Sequence, residues 1–251
     1  MRTGVNSMSV ELENLRRDIR MRSEYDKMMS TAWLAIYLVP IIVTLITIPA
    51  MLLGAPEILL LSPILAIVSF IVSIVLIYKL VDRRNTHFKR QMFLMEDMIK
   101  LIRKIAEQKK TDVEAELSLC ERTLREAKTE ETEKNAVLWA ILSAIIFIAT
   151  WYVYYFLMKD FYKHERREDG FWEDTSKILG KLGISFTPPR RVNPLPNRSF
   201  ILYLILSIIT LGIFGIYWLY VLIKDPNEHF KYHASVDEEL LATLEKAVTA
   251  T

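Results

Sequence analysis

Charge is missing from four long stretches of this 251-residue sequence. Thr31–Leu53, Ile58–Val81, Ala136–Met158 and Phe200–Ile223 hold a single charged side chain, Lys79, close to an end. A helix needs about 20 apolar residues to cross about 30 Å of hydrocarbon, and each stretch has that length. Lipid offers the backbone no partners, so such spans must be helices. No span carries an internal carboxylate or histidine, which argues against a pump or a proton relay. Cysteine is almost absent. Cys120 stands alone, so no intramolecular disulfide can form, and its core-facing helical position predicts a buried thiol. No strong charge imbalance exists either: a net +2 gives no field for nucleic acid. Gly-rich phosphate loops, paired cysteines, His-Glu-x-x-His and nucleophile-elbow sequences are lacking, so nothing points to an enzyme, and no catalytic residue or cofactor is assigned.

What is present predicts an all-α polytopic membrane protein with four transmembrane helices and a cytoplasmic, coiled-coil-like helical bundle. Arg2, Arg16, Arg17, Arg20, Arg22 and Lys27 precede the first span and place the N-terminus in the cytoplasm. Gly54-Ala55-Pro56-Glu57 reads as a tight connector, so residues 31–81 form a transmembrane hairpin. Spans over 136–158 and 200–223 then return the C-terminus to the cytoplasm of a multi-pass cell-membrane protein. Residues 1–30 read as a cytoplasmic amphipathic helix, 82–135 as a helical hairpin, 159–199 as an amphipathic helix with a Pro-rich linker, and 224–251 as a C-terminal helix. Gly212 and Gly215 are expected to permit close helix approach in the last span.

The polar segments carry one apolar stripe each. Met8, Leu12, Leu15 and Ile19 recur at helical spacing. Between Asp82 and Asn135, a stretch without Pro or Gly, Phe88, Met92, Met95, Ile99, Ile102 and Ala106 alternate by four and three residues. Val113, Leu117, Cys120, Leu124 and Ala127 continue the rhythm. Thr111 and Glu114 form a capping-box pattern, predicting a fresh helix start and an antiparallel hairpin. Asp225-Pro226-Asn227-Glu228 predicts another start, with Asp225 as N-cap.

One frame recurs three times: Tyr78, His87 and Glu96; Tyr155, His164 and Glu173; Tyr220, His229 and Glu238, each step being nine residues. A base follows each histidine by two positions: Lys89, Arg166 and Lys231. The frame predicts an internally repeated unit of span, interfacial tyrosine and polar helix, with the histidine of one copy tied to the glutamate of another. Its role reads as structural or interactive. Asp225, His229, His233 and Asp237 lie on one helical face, a ligand-like spacing for a transition metal. The corresponding positions offer Gln91 and Met95 in the first copy and Glu168 and Trp172 in the second, so no metal ligand is assigned. Four crossings would leave the middle copy outside and the other two inside, unless one apolar stretch dips without crossing.

The run Ser207-Ile-Ile-Thr-Leu-Gly-Ile-Phe-Gly-Ile-Tyr-Trp218, followed by Lys224-Asp225-Pro226-Asn227-Glu228-His229-Phe230, resembles a family of prokaryotic, notably archaeal, multi-pass membrane proteins known as a domain of unknown function. The resemblance covers about the last fifty residues and implies no activity. The expected function is a non-enzymatic scaffold or adaptor presenting helical surfaces at the membrane. Its partners are membrane lipid and a protein or second copy bound through the cytoplasmic helices, without nucleic acid. A membrane-protein insertase or assembly factor is the alternative, and a passive channel or transporter the third.

Overall fold

The computed structural model describes residues 2–54 and 61–249 as nine α-helices and one short 3-10 turn, with no strand among the described residues. The helices are α1 (Arg2–Arg20), α2 (Arg22–Tyr25), α3 (Ala35–Leu52), α4 (Leu61–Lys109), α5 (Glu114–Glu130), α6 (Ala136–Ile145), α7 (Phe147–Lys181), α8 (Phe200–Ile209) and α9 (Phe214–Thr249). Most of the expected Gly54–Glu57 connector and the start of the second apolar stretch lie outside the described residues.

Among the described residues one helix, α4, is long and apolar enough to cross a membrane. The four expected spans are therefore corrected. The apolar stretches at 136–158 and 200–223 are not single helices. The first breaks at Ile146, whose extended backbone separates α6 from α7. Trp139 on α6 then meets Tyr152 and Phe156 on α7, with ring centroids 5.1 and 5.6 Å apart, so the chain has folded back. The second breaks at Thr210–Ile213. Leu211 (φ 51°) and Gly212 (φ 92°) are left-handed, and the Gly212 N–H donates to the Ser207 carbonyl. That is a Schellman helix stop. The Thr210 hydroxyl accepts the Phe214 N–H and so starts α9. Tyr203 packs against Phe214 and Phe200 against Trp218 across the reversal. Gly212 is thus a turn residue, not a helix-contact residue. At 1.5 Å per residue, α6 and α8 reach about 15 Å, half of what α3 reaches.

Two helices that the sequence divides are undivided. α9 runs through Pro226, and Asp225 is no N-cap: its carboxylate accepts from Arg198 at 3.0 and 3.2 Å. α4 continues from its apolar half to Lys109, where Lys110 (φ 51°) ends it. The α4–α5 turn is where the sequence places it, but the Asp112 carboxylate, not Thr111, accepts the Glu114 N–H.

The predicted stripes all face inward. Leu15 on α1, Ile102 on α4, Cys120 on α5, Phe171 and Ile178 on α7, and Leu240 on α9 join one core, so the polar body also takes in residues from the 159–199 segment. A second core, with Leu80, Leu157, Trp218 and Leu222, lies where the apolar arms become polar helices. Between the two sit a small aromatic group (Phe88, Phe161, Phe230) and the histidines.

Leu240→Ala is expected to lower unfolding free energy in detergent by about 2–5 kcal/mol, the usual cost of a leucine-sized void. Leu119→Ala, on the exposed side of α5, should stay within about 0.5 kcal/mol. Burial pushes the Cys120 thiol up to about 12. Maleimide labelling of the folded chain near neutral pH should therefore be negligible and become complete on denaturation.

Candidate metal centre

All four histidines of the chain meet at one point. His87 comes from α4, His164 from α7, and His229 and His233 from successive turns of α9. Glu168, one turn beyond His164, joins them. All five are at most 2 % exposed, and one ligand atom from each lies within 4.8 Å of the others. The positions four residues past the frame histidines are Gln91, Glu168 and His233. Residues four apart share a helix face, so three such faces close on a common centre. The sequence reading tested each copy as a separate site, and the differing ligands looked like loss. In the folded chain they are complementary parts of one site.

The ring orientations are fixed from outside. His87 Nδ1 lies 2.8 Å from Asp26 Oδ1, His164 Nδ1 3.0 Å from Glu131 Oε1, and His229 Nδ1 3.2 Å from Glu165 Oε2. An ionised carboxylate only accepts, so Nδ1 of His87 and of His229 carries its hydrogen, and those two rings, when neutral, turn an Nε2 lone pair inward. His233 Nδ1 stands 2.8 Å from the Gln91 amide nitrogen, while the Gln91 carbonyl oxygen is buried without a partner. With the amide donating to Nδ1, His233 carries its hydrogen on Nε2 and can donate it to Glu168 Oε2 at 2.8 Å.

The inward atoms crowd together. His87 Nε2 lies 3.2 Å from His164 Nε2 and 3.1 Å from His229 Nε2, and His229 Nε2 lies 3.2 Å from His233 Nε2. The Glu168 carboxylate closes the ring, with Oε1 2.9 Å from His164 Nε2 and Oε2 2.8 Å from His233 Nε2. Two lone pairs facing one another at such distances repel, and either a hydrogen on one nitrogen or a cation between them makes the contact favourable. Around a first-row ion with bonds of about 2.0–2.2 Å, adjacent donor atoms stand about 3 Å apart.

The titration behaviour agrees. Burial holds the imidazoles of His87 and His229 below their ordinary range and pushes His233 down to about 3. Burial works against a charged His164 too, but Glu131 and Glu168 outweigh it and push the ring up to about 9. Burial would raise the Glu168 carboxyl, yet the surrounding imidazoles hold it well below the carboxylate range. His164 is thus protonated near neutral pH and faces Glu168 Oε1 at 2.9 Å, while Arg191 approaches Glu168 Oε2 at 3.5 Å.

A second layer secures the first. Arg90 donates to both oxygens of Asp26 at 3.1 and 2.8 Å and to Asp237 at 2.9 Å. Arg167 bonds Glu131. Arg191, from the strap between α7 and α8, lies 3.2 Å from Glu165 and stacks 3.7 Å over the Tyr232 ring.

The remaining frame residues stay outside. Glu96 pairs with Lys128 and Lys100, Glu173 with Lys177, and Glu238 with Arg22, all near the surface. The expected pairing of these glutamates with the histidines is corrected: the acids that meet the rings are Asp26, Glu131, Glu165 and Glu168. Tyr78 and Tyr155 are about two-fifths exposed at the apolar boundary, and Tyr220 is half-buried there. Lys89, Arg166 and Lys231 point outward. A positional signal for two of the acids does exist. Asp26 and Glu131 each precede, by four residues, the helix-capping Ser30 and Asn135 that open an apolar arm.

Asp26→Ala should cost about 1–3 kcal/mol in detergent unfolding, because it leaves the His87 N–H without its buried acceptor and Arg90 with Asp237 alone. Glu238→Ala should stay within about 0.5 kcal/mol.

A family model described as a domain of unknown function (DUF4234) matches residues 198–245. The matched segment takes in α8, its turn and most of α9, and so contains His229 and His233 but neither His87 nor His164. No curated protein and no solved structure matches the chain.

Proposed function

We propose that this chain is a membrane-embedded scaffold whose polar helices are clasped by one first-row transition-metal ion, held by His87, His164, His229, His233 and Glu168. The observation that carries the reading is the convergence of four Nε2 atoms on a buried carboxylate, with each opposite Nδ1 held by a second group. Carboxylate–histidine pairs of this kind are the usual outer support of metal-bound imidazole. Four imidazoles and a carboxylate without thiolate suit iron, manganese, nickel, copper or zinc. Five donors exceed the four that zinc takes in structural sites, which favours an ion of higher coordination number such as Fe(II) or Mn(II). Full burial of the donors suits an ion that holds α4, α7 and α9 together.

The hairpins support an arrangement in lipid. Large apolar side chains are exposed along the arms and at their tips, with Leu52, Ile145, Ile209 and Leu211 from 71 to 94 % exposed. In this arrangement α3 with α4 spans the bilayer, while α6–α7 and α8–α9 dip to about half its depth and return. The three polar helices then leave on one side, and the frame is three copies of one unit: capped apolar arm, reversal, boundary tyrosine, histidine. The difficulty of a middle copy on the far side disappears.

A second reading has one observation behind it. A cavity of about 550 Å³ between α3, α4, α6 and α7 is apolar but carries the hydroxyls of Thr44, Ser69, Ser73 and Ser143. A polar-lined groove in the apolar zone suits an insertase or assembly factor. Crosslinking from Ser69 to nascent chains in native membranes would favour that reading, and crosslinks to lipid alone would leave the scaffold.

Elemental analysis of the detergent-purified chain should find about one transition-metal ion per molecule by this donor count. His164→Ala and His233→Ala should each reduce it at least tenfold, as expected for loss of a ligand. Chelation should lower the melting temperature of the wild type and leave the variants unmoved. Protein that folds metal-free and gains no stability from Fe(II), Mn(II), Ni(II), Cu(II) or Zn(II) would sink the reading. Accessibility tags at residues 110, 166 and 250 should all report one side of the membrane, and a tag at 166 on the opposite side would exclude the dipping hairpins.

A further inference from the structure

One turn nearer the apolar arms than His87, Arg83 is buried to 1 % exposure without an acid. Its Nη2 donates to two neutral acceptors, the Ile223 carbonyl at 3.4 Å and Asn227 Oδ1 at 3.2 Å. Its Nε and Nη1 are buried with no partner. The Phe230 ring, 5.2 Å from the guanidinium carbon, gives the cation only a π face. The other buried arginines of this region are all matched: Arg84 with Asp160, Arg90 with Asp26 and Asp237, Arg191 with Glu165. A buried charge without a counter-charge is among the costliest features a fold can carry. Neutralisation does not remove it, since burial pushes this guanidinium down only to about 9.

Arg83 lines a cavity at the junction of α4, α7 and α9, walled mainly by apolar side chains such as Leu80, Leu157 and Leu222. Arg198 and Asp225 also line it, but they bond each other and cancel. The remaining charge is therefore the +1 of Arg83. The cavity holds about 20 Å³, room for one water-sized body. That favours a single-atom anion over a phosphate or carboxylate head group, whether from lipid or from solution.

We propose that this cavity is a halide site, with chloride balancing the charge of the Arg83 guanidinium in its wall. The anion completes the charge balance of the helix junction, one turn from the histidines and independent of whether they hold metal. A water in the same place would satisfy the hydrogens and leave the charge.

The test is thermal unfolding of the full chain in detergent, in chloride, bromide, gluconate or sulfate at one ionic strength. The wild-type midpoint should rise with chloride or bromide in a saturating manner and stay flat in gluconate and sulfate. Arg83→Gln should weaken the apparent halide affinity by at least about tenfold, the loss of one charged hydrogen-bonding partner. Chloride-35 relaxation on the wild type, with bromide as competitor, reads binding directly and decides the matter should the variant not fold. A midpoint equal in all four salts together with unbroadened chloride would overturn the site in favour of water. A response to sulfate equal to that of chloride would overturn the size argument, and halide dependence retained in Arg83→Gln would overturn the assignment to Arg83.

Discussion

The structure turns on the convergence of four imidazole Nε2 atoms and one carboxylate across about 3 Å in a medium that cannot screen them. Everything close to that point is arranged to sustain it. Asp26, Glu131, Glu165 and Gln91 hold the rings from behind. Arginines hold Asp26, Glu131 and Glu165 in their turn. The elements involved are distant in sequence, so the centre joins the N-terminal segment, α4, the end of α5, α7 and α9. Where low dielectric magnifies each interaction, a half-satisfied polar network costs more than none. A positive centre at this point would therefore serve the whole junction between apolar arms and polar body.

Helix reversals make that junction possible. Polar helices can meet only if they emerge on the same side, and two turns accomplish this within runs of apolar sequence. At Thr210–Ile213 the devices are local: a left-handed Leu211 and Gly212, with the Thr210 hydroxyl capping the next helix. The Thr-Leu-Gly element is turn chemistry set inside a hydrophobic run. At Ile146 neither glycine nor proline marks the break; the Thr150 hydroxyl donates to the Ser143 carbonyl nearby.

These reversals explain which expectations held. Heptad stripes such as Met8–Ile19 and Val113–Ala127 were legible because an amphipathic period needs only a core to face, whichever partner supplies it. The four-span count was not, because hydropathy over 24 residues cannot tell one long helix from two arms joined by a reversal. Asp225-Pro226 misled for a related reason. Proline early in a helix and proline inside one look alike until it is known whether the preceding turn is helical, and here it is.

The sequence by itself determined helices, their buried faces, and the coincidence of Tyr and His at nine-residue intervals, since these depend on periods along one chain. It also showed His229 and His233 on one face. Only the tertiary structure decided that Gln91, Glu168 and His233 share a centre and that the frame glutamates do not. The reason is geometric. A helix period fixes which side chains share a face, but the axial level and rotation at which three helices meet come from reversals and packing far from the histidines.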